Sequence, residues 1–179
     1  IENPLQFGST NLLTASSASG VYGLRLAGAA TTSMSVAIDG QVTQTVGVGS
    51  TAVGQIIGYD PVTKSLQYWQ DRSLATNDTS GNKPTYGYKL NRFTANPASG
   101  GDTNIIVTTT GGTETLSIDT GFTGVSTTVN SRTYYFGQTY NNGLANPEIK
   151  KYSGNIIYVD QRPEVTRATN QREDIKIIL

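Results

Sequence analysis

The chain has 179 residues, with 13 basic and 13 acidic side chains, no net charge, no histidine and no cysteine. Balanced charge provides no broad field to attract nucleic acid or an anionic membrane. The two absent residue types exclude a disulfide framework, a Ser-His-Asp triad, a cysteine nucleophile and the usual Cys/His zinc centre.

Only 15% of the residues are charged and 20 are glycine, whereas average soluble domains carry about 25% charge. With abundant Thr, Val, Ile and Tyr, this composition predicts ordered β structure with tight turns rather than helix or disorder. Residues 21–26 (VYGLRL) are the first short strand candidate. Met34, Val36 and Ile38 alternate with smaller residues, Asp39-Gly40 intervenes, and Val42, Val46 and Val48 continue the alternation. That pattern predicts a hairpin turning at Asp39-Gly40. Residues 55–59 and 65–70 flank Asp60-Pro61 as a second hairpin, and residues 105–110 and 113–119 flank Gly111-Gly112 as a third. The polar stretch 71–83 reads as a long exposed loop, after which Tyr86, Tyr88 and Leu90 alternate as a strand. Residues 132–140 carry the β-favouring cluster Tyr134, Tyr135, Phe136 and Tyr140, and the turn signals Asn142-Gly143 and Asn146-Pro147 come directly after it. One helical turn is expected across residues 147–151, and the last strand candidates are 155–160 and 174–179. Together these elements predict an all-β, mostly antiparallel fold, a sandwich or barrel-like set of hairpins with long loops and little or no helix. No apolar run approaches the roughly 18 residues of a membrane span. The chain begins with Ile1 rather than Met, as expected of a piece of a longer protein, so the absence of a signal peptide carries no weight.

Among catalytic chemistries, carboxylate pairs remain open. Asp60, Asp102 and Asp119 stand in or beside turns, where aspartate bonds its own backbone; Asp71 and Asp78 lie in the polar loop. Nothing in the spacing sets two carboxylates at the separation a glycosidase requires. Residues 77–82 (NDTSGN) offer oxygen ligands for calcium but lack the spacing and closing Glu of an EF-hand. Gly111-Gly112 lacks the following helix and Lys that a phosphate loop needs. No metal or cofactor is expected. Trp69 with Tyr59 and Tyr68 offers a sugar-stacking platform, against the ordinary outcome of one aromatic in the core and another at the rim.

The C-terminal end is chemically distinct. Of the 26 charged residues, 11 fall in the last 32 positions. Residues 152–163 (YSGNIIYVDQRP) read as a turn, a strand and an Arg-Pro stop; a polar stretch with Arg167 and Arg172 comes next, then Glu173-Asp174 and an apolar finish. Such a segment is either a solvated face or a subunit contact in which arginines pair with a neighbour's carboxylates.

This tail resembles the end of the baseplate wedge proteins of T-even-like contractile-tail phages (the gene 8 product family). The resemblance rests on Ser153-Gly154, Ile157-Tyr158, Asp160, Arg162-Pro163, Gln171 and Glu173-Asp174-Ile175. Upstream, Phe136-Gly137-Gln138-Thr139 and Asn146-Pro147-Glu148-Ile149 are similar to the cyanophage-like branch. The chain then divides into a Thr/Gly-rich β body, residues 1–132, and a family-like segment, residues 133–179, packed on the same β structure. The resemblance implies a non-enzymatic structural protein of the virion, homodimeric within each wedge and bound to other wedge proteins. It implies a place in the tail baseplate after assembly in the host bacterial cytoplasm, with no nucleic acid, membrane or cofactor as partner. The motif residues, together with Arg167, would be subunit contacts. Two other classes remain open on the residues alone: a tail adhesin or carbohydrate-binding β domain that recognises the host surface through Trp69 and Tyr68, and a carboxylate-based glycan hydrolase.

Overall fold

A computed structural model describes residues 3–14, 19–28, 35–70, 91–151 and 153–156. It holds nine strands: β1 (Tyr22–Arg25), β2 (Gln41–Gly47), β3 (Ser50–Asp60), β4 (Ser65–Trp69), β5 (Asn104–Thr109), β6 (Gly112–Ser117), β7 (Gly124–Val129), β8 (Arg132–Asn141) and β9 (Leu144–Ala145). All join one antiparallel sheet in the order β6-β5-β2-β3-β4-β1-β9-β8-β7. No helix occurs among the described residues, so the all-β expectation holds.

The sheet curls but does not close into a barrel. A single bridge, Leu26 to Ile118, ties the chain just past β1 to the chain just past β6. Two backbone bonds flank it: Ala27 N–H to the Ser117 carbonyl at 2.9 Å and Asp119 N–H to the Arg25 carbonyl at 2.8 Å. Six strands therefore wrap one core. The period of two along each strand puts Tyr22 and Leu24, Leu66 and Tyr68, and Ile105 and Val107 on the same inner face. Phe93 enters from the loop before β5 and meets Tyr68 edge-on at 4.8 Å, while Tyr22 stacks on the same ring at 5.3 Å. The Tyr68 ring also lies flat against Gly54, which has no side chain to oppose it.

Two buried glutamines hold that loop in place of a strand. The Gln44 amide donates to the carbonyls of Thr94 (2.8 Å) and Asp102 (3.0 Å) and accepts from Thr94 N–H (2.9 Å). The Gln70 amide donates to the carbonyls of Val53 (2.9 Å) and Asn91 (3.1 Å) and accepts from Arg92 (3.1 Å). Both side chains are almost fully buried, and burial is tolerable because every polar atom of the two amides is engaged.

Several turns obey their sequence signals. Asn142-Gly143, both at positive φ (50° and 76°), make the two-residue connection from β8 to β9. The Asp60 carboxylate accepts from Val62 N–H (3.0 Å) and Thr63 Oγ1 (2.6 Å), which shapes the β3–β4 turn. The β5–β6 turn is Thr110-Gly111, one residue earlier than Gly111-Gly112.

Three elements differ from expectation. Asp39-Gly40 is not a hairpin turn: only Asp39 has positive φ, Val36 bridges to Thr109, and β2 turns at Val48-Gly49 to pair with β3. Gly40 serves close packing instead, since a Cβ there would sit 2.8 Å from Thr108 Cβ and 2.9 Å from the Ala37 carbonyl. No helical turn forms at residues 147–151, because the backbone there is already spent on the N-terminal segment. Glu148 N–H donates to the Ser19 carbonyl (2.8 Å), Phe7 N–H to the Glu148 carbonyl (2.7 Å) and Lys150 N–H to the Leu5 carbonyl (2.9 Å). β7 is a strand that the alternation pattern does not predict. Its turn to β8 is Asn130-Ser131, both at positive φ (49° and 63°), a type I′ shape that lacks the usual Asn-Gly. The expected loop 71–83, the alternation at Tyr86 to Leu90 and the strands at 157–160 and 174–179 lie outside the described residues.

Candidate functional site

The most unusual local feature is in β8. Gly124 pairs with Tyr140 and Ser126 with Tyr135, so Phe136-Gly137-Gln138-Thr139 stand opposite Val125 alone. Gly137 supplies a positive φ of 69° within this bulge. A bulge bends its strand and re-aims its side chains. Here the even-numbered residues of β8 turn inward and the odd-numbered ones outward. The inward side chains land on the back of β1 and β4, opposite the main core. Tyr140 Oη is 2.5 Å from Ser65 Oγ, and Gly23 leaves the space that the Tyr140 ring and the Gln138 amide occupy. Gln138 Oε1 accepts from Ser19 Oγ at 2.9 Å. Burial raises the Tyr140 pKa, opposed by its bond to Ser65 and by Arg25.

Arg25 locks this root. Its guanidinium carbon lies 4.2 Å from the Phe122 ring centre and 5.7 Å from that of Phe136, and its Nε is 3.4 Å from Asp119 Oδ2. Phe122, Phe136 and Tyr140 pack against one another at centroid distances of 4.8–5.9 Å. Beyond the root, β7 and the distal half of β8 form a two-stranded ribbon whose strands, among the described residues, pair only with each other. β7 ends the sheet, and its sequence, GVSTTV, contains no charge and no proline.

Between the ribbon and the far end of the β3–β4 hairpin runs an open groove of about 400 Å³. A second bulge shapes it, because the β3–β4 register slips between Ile56 and Gly58. Gly58 lies in the lining with nothing nearer to its missing Cβ than Gln67 Oε1 at 3.9 Å. Asp60, Thr63, Ser65 and Gln67 supply carboxylate, hydroxyl and amide groups on one wall. Tyr134 and Phe136 stand on the other, and Tyr135, 78% exposed, stands at the rim. Among the described residues no lysine or arginine contributes to the lining. A smaller hollow of about 210 Å³ opens beside Arg92, which covers the Tyr22 ring at 4.8 Å and donates to Tyr22 Oη.

The structure separates Trp69 from Tyr68. Consecutive strand residues face opposite sides: Tyr68 is in the core at 3% exposure, while Trp69 is half-buried with Lys151 Nζ 5.5 Å from its ring centre. They do not form one platform. Tyr59, the third aromatic of that group, borders the groove, but it is in register with Leu66 and packs against the main core. Asp60 and Asp102 hold their own turns, the latter accepting from Asn104 N–H at 2.9 Å, and Asp119 pairs with Arg25.

Of the family-like motif residues, Ser153 accepts from Leu5 N–H (3.0 Å) and donates to the Lys150 carbonyl (2.6 Å), and Gly154 comes next at φ 85°. Ile157, Tyr158, Asp160, Arg162, Pro163, Arg167, Gln171, Glu173 and Ile175 lie outside the described residues, as does the calcium-like stretch 77–82. Arg25, Gln44 and Gln70 hold roles that sequence reasoning does not assign. The available signal is a polar residue inside an otherwise apolar strand pattern, as in VYGLRL. No protein-family model, no curated protein and no solved structure gives a significant match to this chain.

Proposed function

We propose that this chain is a non-enzymatic structural subunit of a phage tail baseplate wedge, joined to neighbouring wedge proteins and to a second copy of itself through its β edges. The observation that carries the reading is the edge of β7. Proteins that act alone blunt an edge strand with charge, proline or a covering element. Among the described residues nothing pairs with the outer edge of β7, which has no charge and no proline, and Val125 on it is 49% exposed. Such an edge suits coverage by a neighbour's strand, which would add main-chain bonds to the ribbon. The four residues of the β8 bulge, Phe136 to Thr139, are also those that resemble the wedge family, and they set the direction in which the ribbon leaves the body.

The test is virion composition. Phage particles carrying the wild-type chain should contain it at fixed stoichiometry in isolated baseplates. Val125→Lys with Thr128→Lys, both at outer positions of β7, should leave folding intact and reduce incorporation. Absence of the chain from baseplates would overturn the assignment. Full incorporation of the double variant would overturn edge docking.

A further inference from the structure

We infer that the groove between the β3–β4 hairpin and β8 is a binding site for a neutral saccharide. It is a different site from Trp69 and Tyr68, and the inference does not depend on where the chain is assembled. Three observations select this ligand class. First, the lining contains the Asp60 carboxylate and, among the described residues, no lysine or arginine; Arg25 and Arg132 lie over the Phe136 and Tyr134 rings, 5.7 and 5.4 Å from their centres, rather than in the lining, so the carboxylate disfavours a phosphate, sulfate or uronate. Second, the walls combine the Tyr134 and Phe136 rings with the Asp60 carboxylate and the Gln67 amide, backed by the buried hydroxyls of Thr63 and Ser65. A pyranose presents that combination in reverse, with a C–H face for a ring and in-plane hydroxyls for carboxylate, amide and hydroxyl partners. Third, the polar wall is set before any ligand arrives. Asp60 is fixed by Val62 N–H and Thr63 Oγ1, and Ser65 by Tyr140, so little ordering remains to oppose binding.

A peptide strand fits that wall less well, because Gly58, Tyr59 and Asp60 are already paired with Gln67, Leu66 and Ser65 and offer no free edge. Tyr134, on the inward face of β8, would stack on the sugar from the ribbon wall. Gly58 leaves the floor clear, and its backbone is not at positive φ, so a larger residue fits the fold while filling the groove.

The experiment titrates the full chain, by calorimetry and saturation-transfer NMR, with neutral di- and trisaccharides of glucose, galactose, mannose, rhamnose and N-acetylglucosamine. Sialyllactose, a galacturonate dimer and an uncharged β-strand peptide are run in parallel. At least one neutral sugar should bind. Tyr134→Ala should weaken it about five- to tenfold, the size expected for one stacking ring, and Gly58→Leu should abolish it, with wild-type melting temperatures in both. The inference is overturned if no neutral sugar binds, if only the acidic sugars or the peptide bind, or if folded Gly58→Leu and Tyr134→Ala bind as the wild type does.

Discussion

Gly54→Ala tests the central packing argument most directly. A Cβ at this position would fall inside the van der Waals surface of the Tyr68 ring, with two further ring carbons at 3.2 Å. Carbon pairs prefer about 3.5–4.0 Å, so the ring must recede. It has nowhere to go. Tyr22 stacks on one side at 5.3 Å, Phe93 abuts at 4.8 Å, and Tyr68 is 3% exposed. Overpacking of this kind costs about 1–3 kcal/mol, against which alanine returns roughly 0.5 kcal/mol of backbone entropy. The net expectation is a loss of about 1.5 kcal/mol, or roughly 3–6 °C in melting temperature for a domain of this size. Trp69 is the only tryptophan and neighbours Tyr68, so its fluorescence reports the transition in urea or on heating. Gly58→Ala is the control. It meets nothing nearer than 3.9 Å and should be neutral or stabilising by about 0.5 kcal/mol. In a Tyr68→Leu background the cost of Gly54→Ala should shrink by more than about 1 kcal/mol, because the two side chains would no longer compete for one space. A Gly54→Ala protein that melts at or above the wild type would refute the reasoning.

The same geometry sets four other outcomes. Gln44→Leu strands the polar groups of Thr94 and Asp102 that its amide now serves; it should cost about 3 kcal/mol and expose residues 94–102 to limited proteolysis. Asp119→Ala removes the carboxylate beside the largely buried Arg25; because Asp119 is about one-third exposed, the expected loss is only about 1 kcal/mol by urea denaturation. Ser131→Gly relieves a left-handed residue in the β7–β8 turn and should stabilise the fold by about 0.5–1 kcal/mol, read from the urea midpoint. Finally, burial raises the pKa of Tyr68, Tyr22 and Tyr140 above the unfolded value. Folded tyrosine then keeps its proton where unfolded tyrosine loses it. The contribution is fully present below about pH 10 and falls above it by up to about 1.4 kcal/mol per pH unit for each such tyrosine. Alkaline denaturation should therefore be less steep in Tyr68→Phe, and an unchanged slope would contradict the burial argument.

The sequence by itself determined the class of structure and several of its joints. Low charge, β-branched residues and alternation dictate strands, and Asp60-Pro61 and Asn142-Gly143 mark their turns because the conformations required there are ones those residues favour. Alternation could not decide which strands pair. Asp39-Gly40 looks like a hairpin locally, yet β2 prefers β3 and β5, since pairing there buries Val42 and Gln44 against the common core. Nor could it reveal β7, which holds only two apolar side chains, Val125 and Val129, and whose turn uses Asn-Ser.

The groove was legible only in part. Tyr134 and Phe136 are visible as aromatics and Asp60 as a turn residue, but 74 positions separate Asp60 from Tyr134 (134 − 60), and two bulges bring them to one cleft. Which face a side chain takes after a bulge depends on register, and register is settled by the partner strand and the core beneath it. Pairing and register, together with the lone arginine beneath Phe122 and Phe136, were decided only by the tertiary structure.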